Sequence, residues 1–145
     1  MKKIQEFIRG TTWELESFQS EDKNGEIVYP LGKDAKGFIM FTPENRISVH
    51  IMAANREAES KTQSSIVEFL TEAEEKMAEL GYHAYSGPFV IDEEEEILET
   101  SIEVSLVISY IGSKQPRKVK IEADKLYLTN VNHPERKLVW RKLEK

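Results

Sequence analysis

The chain has no cysteine among its 145 residues. Disulfide staples, cysteine-ligated zinc and thiol catalysis are thereby excluded, and the lack of cysteine is compatible with a cytoplasmic protein. Histidine is scarce, and His50, His83 and His133 show no metal-ligand spacing, so no bound metal is expected. Positive charge is in deficit: 20 Lys and Arg stand against 26 Asp and Glu, for a net charge of −6. That balance argues against a nucleic-acid partner held by phosphate neutralisation. No stretch approaches the ~18 uninterrupted apolar residues of a membrane span. The basic opening is broken by Gln5, Glu6 and Arg9, where a signal peptide needs an apolar core. Ile4, Phe7 and Ile8 suggest instead a short amphipathic turn. The expectation is a cytoplasmic protein with no membrane partner. A glycine-rich phosphate loop, His-Glu-x-x-His and Gly-x-Ser-x-Gly are all missing, so no cofactor is expected.

What remains is a folded composition, 39% hydrophobic and 32% charged. Its length suits a single domain, 1–145, and neither repeat nor linker divides it. Most segments alternate with period 2. Trp13, Leu15 and Ser17 oppose Glu14 and Glu16, and Asn24-Gly25 then signals a turn. Residues 37–42 are apolar on both faces, which calls for cover on both sides. In 46–52, Ile47, Val49 and Ile51 oppose Ser48, His50 and Met52. Strands resume at 82–91, and Asp92-Glu93-Glu94-Glu95-Glu96 reads as a solvated turn because five like charges repel. In 97–111, Leu98, Ile102, Val104, Leu106, Ile108 and Tyr110 share one parity. Fully extended, those fifteen residues would reach about 50 Å, so a bend or break before Gly112 is expected. Residues 115–123, 125–130 and 137–142 supply three more strands.

One helix interrupts the pattern. Ile66, Phe69, Leu70, Ala73, Met77 and Leu80 fall on one stripe. Two capping boxes compete for its start, Ser65 with Glu68 and Thr71 with Glu74. Thr71 is the better start for a main helix ending before Gly81, a left-handed C′ residue. The fold class is therefore mainly all-β: about eight antiparallel strands and one short helix. Periodicity leaves sandwich and barrel open. An up-and-down barrel is preferred because closure removes edge strands and covers strands such as 37–42.

Three stretches carry a resemblance. Thr11-Thr12-Trp13-Glu14-Leu15 is similar to the opening strand of lipocalins. Tyr29-Pro30-Leu31-Gly32-Lys33-Asp34-Ala35-Lys36-Gly37-Phe38-Ile39, with Thr42-Pro43 and Arg46-Ile47-Ser48-Val49, resembles the bacterial and fungal lipocalin-like domain family. So does Ala84-Tyr85-Ser86-Gly87 after the helix, with Glu103-Val104-Ser105-Leu106 and the closing Trp140-Arg141. The resemblance implies a calycin-like β-barrel with a central cavity. It implies no reaction, since fold does not fix function. In lipocalin relatives the tryptophan at the place of Trp13 packs under a basic residue of the closing strand, here Arg141. Trp13 and Arg141 are accordingly read as a structural pair, a cation–π contact of about 0.5–1 kcal/mol.

Site residues follow from polar groups on apolar faces. Arg117 shares parity with Val119, Ile121 and Ala123. If that side faces inward, its guanidinium can hold a carboxylate or phosphate. The alternative is a strand-end arginine reaching water beside Pro116. His50 suits proton transfer, with Met52 on its parity, and either is a surface residue if Ile47, Val49 and Ile51 point in. Tyr85 shares parity with His83 and Phe89, as a cavity donor or a core aromatic. Glu103 belongs to a solvated face, or to a wet cavity where it would act as a general base. His83 and His133 carry less signal, and His133 is read as exposed in the turn before Pro134.

The first functional reading is binding of a small, largely apolar and in part anionic ligand by Arg117, His50, Met52 and Tyr85. The second is a cofactor-independent isomerase, cyclase or hydrolase of a small hydrophobic substrate, with His50, Tyr85 and Glu103 as catalytic candidates. The third is a non-catalytic homodimer joined through Ile39 and Phe41.

Overall fold

The computed structural model describes residues 3–54 and 71–143. The competing capping box at Ser65 and Glu68, with Ile66, Phe69 and Leu70, lies outside them. The described residues form ten strands and two helices: α1 (Ile4–Ile8), β1 (Thr12–Glu21), β2 (Ile27–Val28), β3 (Lys36–Phe41), β4 (Arg46–Met52), α2 (Glu72–Leu80), β5 (Tyr82–Asp92), β6 (Ile97–Ser101), β7 (Val104–Ser105), β8 (Lys114–Glu122), β9 (Lys125–Asn130) and β10 (Lys137–Lys142). A 3₁₀ turn, Ile108–Tyr110, lies between β7 and β8.

Strands β1, β3, β4, β5, β6, β8, β9 and β10 pair in that order, and β10 pairs back onto β1. Closure settles the choice between sandwich and barrel: this is an eight-stranded antiparallel up-and-down barrel, with β2 and β7 as additional short strands. The seam is a full ladder, running from Trp13 opposite Lys142 to Gln19 opposite Lys137. No barrel strand is left as an edge.

Two β-bulges decide which side chains enter. Between Leu15 and Ser17 the β1–β10 register shifts. Trp13 and Leu15 point in before it; Phe18 and Ser20 point in after it. The second bulge separates β6 from β7. Phe89 faces Thr100 across β5–β6, whereas Tyr85 faces Ser105 across β5–β7, one residue out of step. The expected break in 97–111 is thus a bulge, and it reverses the parity. Leu98, Thr100 and Ile102 are buried, while Val104, Leu106 and Ile108 turn to the surface. Gly87 makes this possible: a Cβ there would lie closer than 3.0 Å to the Ser101 carbonyl oxygen.

β3 corrects one expectation. Ile39 and Phe41 are buried inside the barrel, so they cannot join two subunits, and the outward Phe38 and Met40 are left partly exposed. The barrel exists, but not because both faces of β3 are covered.

Each end of the barrel carries a helix. At the end where β1 starts, α1 inserts the fully buried Ile8. The Glu93 carboxylate accepts from the free backbone amides of Ile4 and Gln5 at 2.9 and 3.1 Å. One member of the acidic run is therefore a helix cap rather than a solvated charge. The opposite end, formed by the end of β1, the start of β5 and the start of β10, is covered by α2. Thr71 and Glu74 form the expected capping box there, and Gly81 closes the helix at φ 68°. The helix buries Ala73, Glu74, Met77 and Ala78.

Candidate binding site in the barrel interior

The interior is apolar around Trp13, Ile39, Ile47, Leu98, Leu126 and Trp140, all almost wholly enclosed. Beneath α2 its character changes. Ser20, Glu74, His83, Thr100, Arg117, Asn130 and Arg136 are buried polar residues, and the phenols of Tyr85 and Tyr110 are buried with them. Burying charge costs several kcal/mol per ion unless partners compensate. The partners of each charge therefore decide what this region can do.

Arg136 is compensated. Its Nε donates to Glu74 Oε2 at 3.2 Å, and its two terminal nitrogens donate to Tyr110 Oη at 3.1 Å and Thr71 Oγ1 at 3.0 Å. Glu74 also accepts from the Ser20 hydroxyl. Asn130 holds the loop that presents Arg136. Its side-chain oxygen accepts from the backbone amides of Asn132 and His133 at 2.9 and 3.0 Å, and its backbone N–H donates to the Arg136 carbonyl at 3.1 Å. The result is a neutral pair that ties α2 to β1 and to the start of β10.

Arg117 is not compensated. β8 points it inward, opposite Asn130 of β9 and Leu98 of β6, and only 6% of it is exposed. Nη1 donates to the Pro116 carbonyl at 3.0 Å and, at 3.5 Å, to Gln115 Oε1. Among the described residues no carboxylate forms an ion pair with it. Among the described residues the polar region thus holds one unmatched positive charge.

Around it lie three aromatic rings. The His83 and Tyr85 centroids are 5.3 Å apart, His83 and Tyr110 5.5 Å, and Tyr85 and Tyr110 6.2 Å. His83 Nδ1 is enclosed and has no hydrogen-bond partner among the described residues. Burial, then the nearby charges of Arg117 and Arg136, lower the His83 pKa to about 3, so its ring is neutral. The Tyr85 hydroxyl is pushed the other way, up, chiefly by burial. Together with Phe18, Val49, Ile51, Met77, Leu128, Leu138 and Trp140, these rings and both arginines line a cavity. The space open to the centre of a water-sized sphere is about 20 Å³, enough for one water-sized guest.

Several sequence candidates lie elsewhere. His50 and Met52 share the outward parity of β4, because Val49 and Ile51 take the inward one. His50 is exposed, its Nδ1 3.0 Å from Tyr82 Oη. Neither reaches the cavity. Glu103 sits on the bulge at the surface and pairs with Arg46, so it is no desolvated base. Of the catalytic candidates only Tyr85 is inside, and the set of His50, Tyr85 and Glu103 does not meet. Trp13 and Arg141 also part company. Trp13 is buried and donates to Thr11 Oγ1 at 2.8 Å. Arg141, opposite Glu14 in the seam, points outward to Glu14 and Glu16 at 2.6 and 3.7 Å. Neighbouring registers have opposite faces, and the cation–π contact is not formed. His133 is in the turn, paired with Glu135 at 3.4 Å.

The sequence reading missed Glu74, Arg136 and Tyr110 as site residues. Glu74 had a signal: it sits beside Ala73 and three and four residues before Met77 and Ala78, on the buried side of the helix. Arg136 had none, since it belongs to a loop with no periodicity.

A family model of the lipocalin-like domain matches residues 10–142. The chain belongs to the lipocalin-like domain family. This lipocalin-like domain matches no curated protein. Among solved structures it is similar to an uncharacterised protein from Bacteroides eggerthii, at 14% identity over 92% of this chain and 98% of that one, with a TM-score of 0.45. A lipocalin-like barrel suggests small-ligand binding in general. No helix among the described residues of this lipocalin-like domain is long and apolar enough to cross a membrane.

Proposed function

We propose that this lipocalin-like domain binds a small monoanion inside its barrel, with the Arg117 guanidinium as the anchor. One observation carries the reading: among the described residues Arg117 is buried with only neutral acceptors, while the neighbouring Arg136 has its carboxylate. A single negative charge neutralises the region, and a planar group such as a carboxylate accepts two parallel hydrogen bonds from a guanidinium. The aromatic rings of His83, Tyr85 and Tyr110 offer flat walls beside it. The open space admits one water-sized guest, so a carboxylate head group enters with a shift of the lining side chains. An apolar tail of any length requires α2 or a lining side chain to move, so the ligand class is a short organic acid rather than a fatty acid.

The test is isothermal calorimetry with formate, nitrate and bromide on the wild type and on Arg117→Met. Saturable binding to the wild type, weakened at least tenfold in the variant, supports the proposal. Equal affinity in the two proteins, or no binding of any of the three anions, sinks it.

A further inference from the structure

His83 is the buried titratable group that the Arg117 anchor leaves unused. Its Nδ1 has no partner among the described residues, and its ring forms part of the wall of the same cavity. Tyr85 approaches it from its own strand, Tyr110 from the 3₁₀ turn, Arg117 from β8 and Arg136 from the loop before β10. β4 offers it only apolar Val49 and Ile51, and α2 offers Met77, with Glu74 engaged by Arg136. Among the described residues, every full charge lining the cavity is positive, apart from the carboxylate already paired. The imidazole is neutral there because burial first, and then the charges of Arg117 and Arg136, disfavour a third cation.

An anion in the cavity reverses that balance. One negative charge at close range in this buried site favours an imidazolium by about a thousandfold. Building on the proposed anion site, we infer that the barrel takes up its anion together with one proton, which His83 receives. The proton comes from solvent and adds to the free ring nitrogen. The resulting imidazolium donates a hydrogen bond to the anion, and no other bond changes. The guest is then a whole weak acid, split inside the barrel into a carboxylate near Arg117 and a proton on His83. Binding tightens as pH falls, because proton and anion favour each other by the same factor.

Nitrate is the probe, since it holds no proton of its own at any pH used. Calorimetry between pH 5 and 8, in two buffers of different ionisation enthalpy, reads both affinity and protons taken up. The expected result is an affinity that rises toward tenfold per pH unit at the acid end, with proton uptake approaching one. His83→Asn, which cannot titrate here, should still bind nitrate but with no pH slope and no uptake. Nitrate binding without uptake, or a slope that survives in His83→Asn, overturns the inference while leaving the anion site standing. Absence of nitrate binding at every pH removes both.

Discussion

The two buried arginines, Arg117 and Arg136, make opposite predictions although their burial is nearly equal. Removing Arg136 strands Glu74, a carboxylate with no exposed surface, so Arg136→Met should cost about 3–5 kcal/mol. Removing Arg117 relieves an unmatched charge and loses two hydrogen bonds, one at the 3.5 Å limit. Arg117→Met should leave stability within about 1 kcal/mol of the wild type, or raise it. Urea denaturation of the two variants checks the contrast, and an equal loss in both would contradict the assignment of partners. His83 adds a pH dependence to the same residues. Its pKa falls from 6.5 to about 3 on folding, so above 6.5 it is neutral in both states and its contribution is present in full. Below 6.5 the unfolded chain gains a proton that the fold refuses, and stability declines until pH reaches about 3. The slope from this one group approaches ~1.4 kcal/mol per pH unit. Carboxylates also titrate in that range, so the measurement is the difference between wild type and His83→Asn, which should widen steadily in favour of the variant as pH falls from 7 to 4.

Among the elements, the β6–β7 bulge controls most and was least visible beforehand. Gly87→Ala places a methyl group against the Ser101 backbone carbonyl, where no flexible side chain can give way. The substitution should cost about 3 kcal/mol or more and is measured by the shift in denaturation midpoint. A Gly87→Ala protein as stable as the wild type would show that the strands do not approach as described. Helix α2 was legible because its signals are local: Thr71 and Glu74 three residues apart at the start, a glycine at the end. Strand positions were legible from alternation for the same reason. The bulges were not, since an extra residue changes no residue type; it only exchanges which face is inward. Val104, Leu106 and Ile108 therefore looked like core and are surface. Arg117 was readable because β8 runs regularly from it to Val119, with no bulge between. Arg136 was not, because its inward direction comes from Asn130 holding a loop, a long-range condition that periodicity does not encode.

At the scale of the whole molecule, an open sheet and a closed one of the same strands differ at a single seam, β1 against β10. In an open sheet both would be edges, with half of their amides free to exchange. Here β10 lies between β9 and β1, and β1 between β3 and β10, so both are interior strands. Their inward residues Trp13 and Trp140 are almost wholly enclosed. Opening the seam exposes both tryptophans, a cost of several kcal/mol, so it should occur only with global unfolding. Native-state hydrogen exchange should therefore place the seam amides of 13–15 and 138–140 in the slowest class, together with those of β4 and β5. β2 and β7, which pair along one side and for two residues each, should exchange much faster. Fast exchange confined to β1 and β10 would mean that the barrel breathes at its seam. The polar region beneath α2 would then be reachable from the side as well as from the helix end.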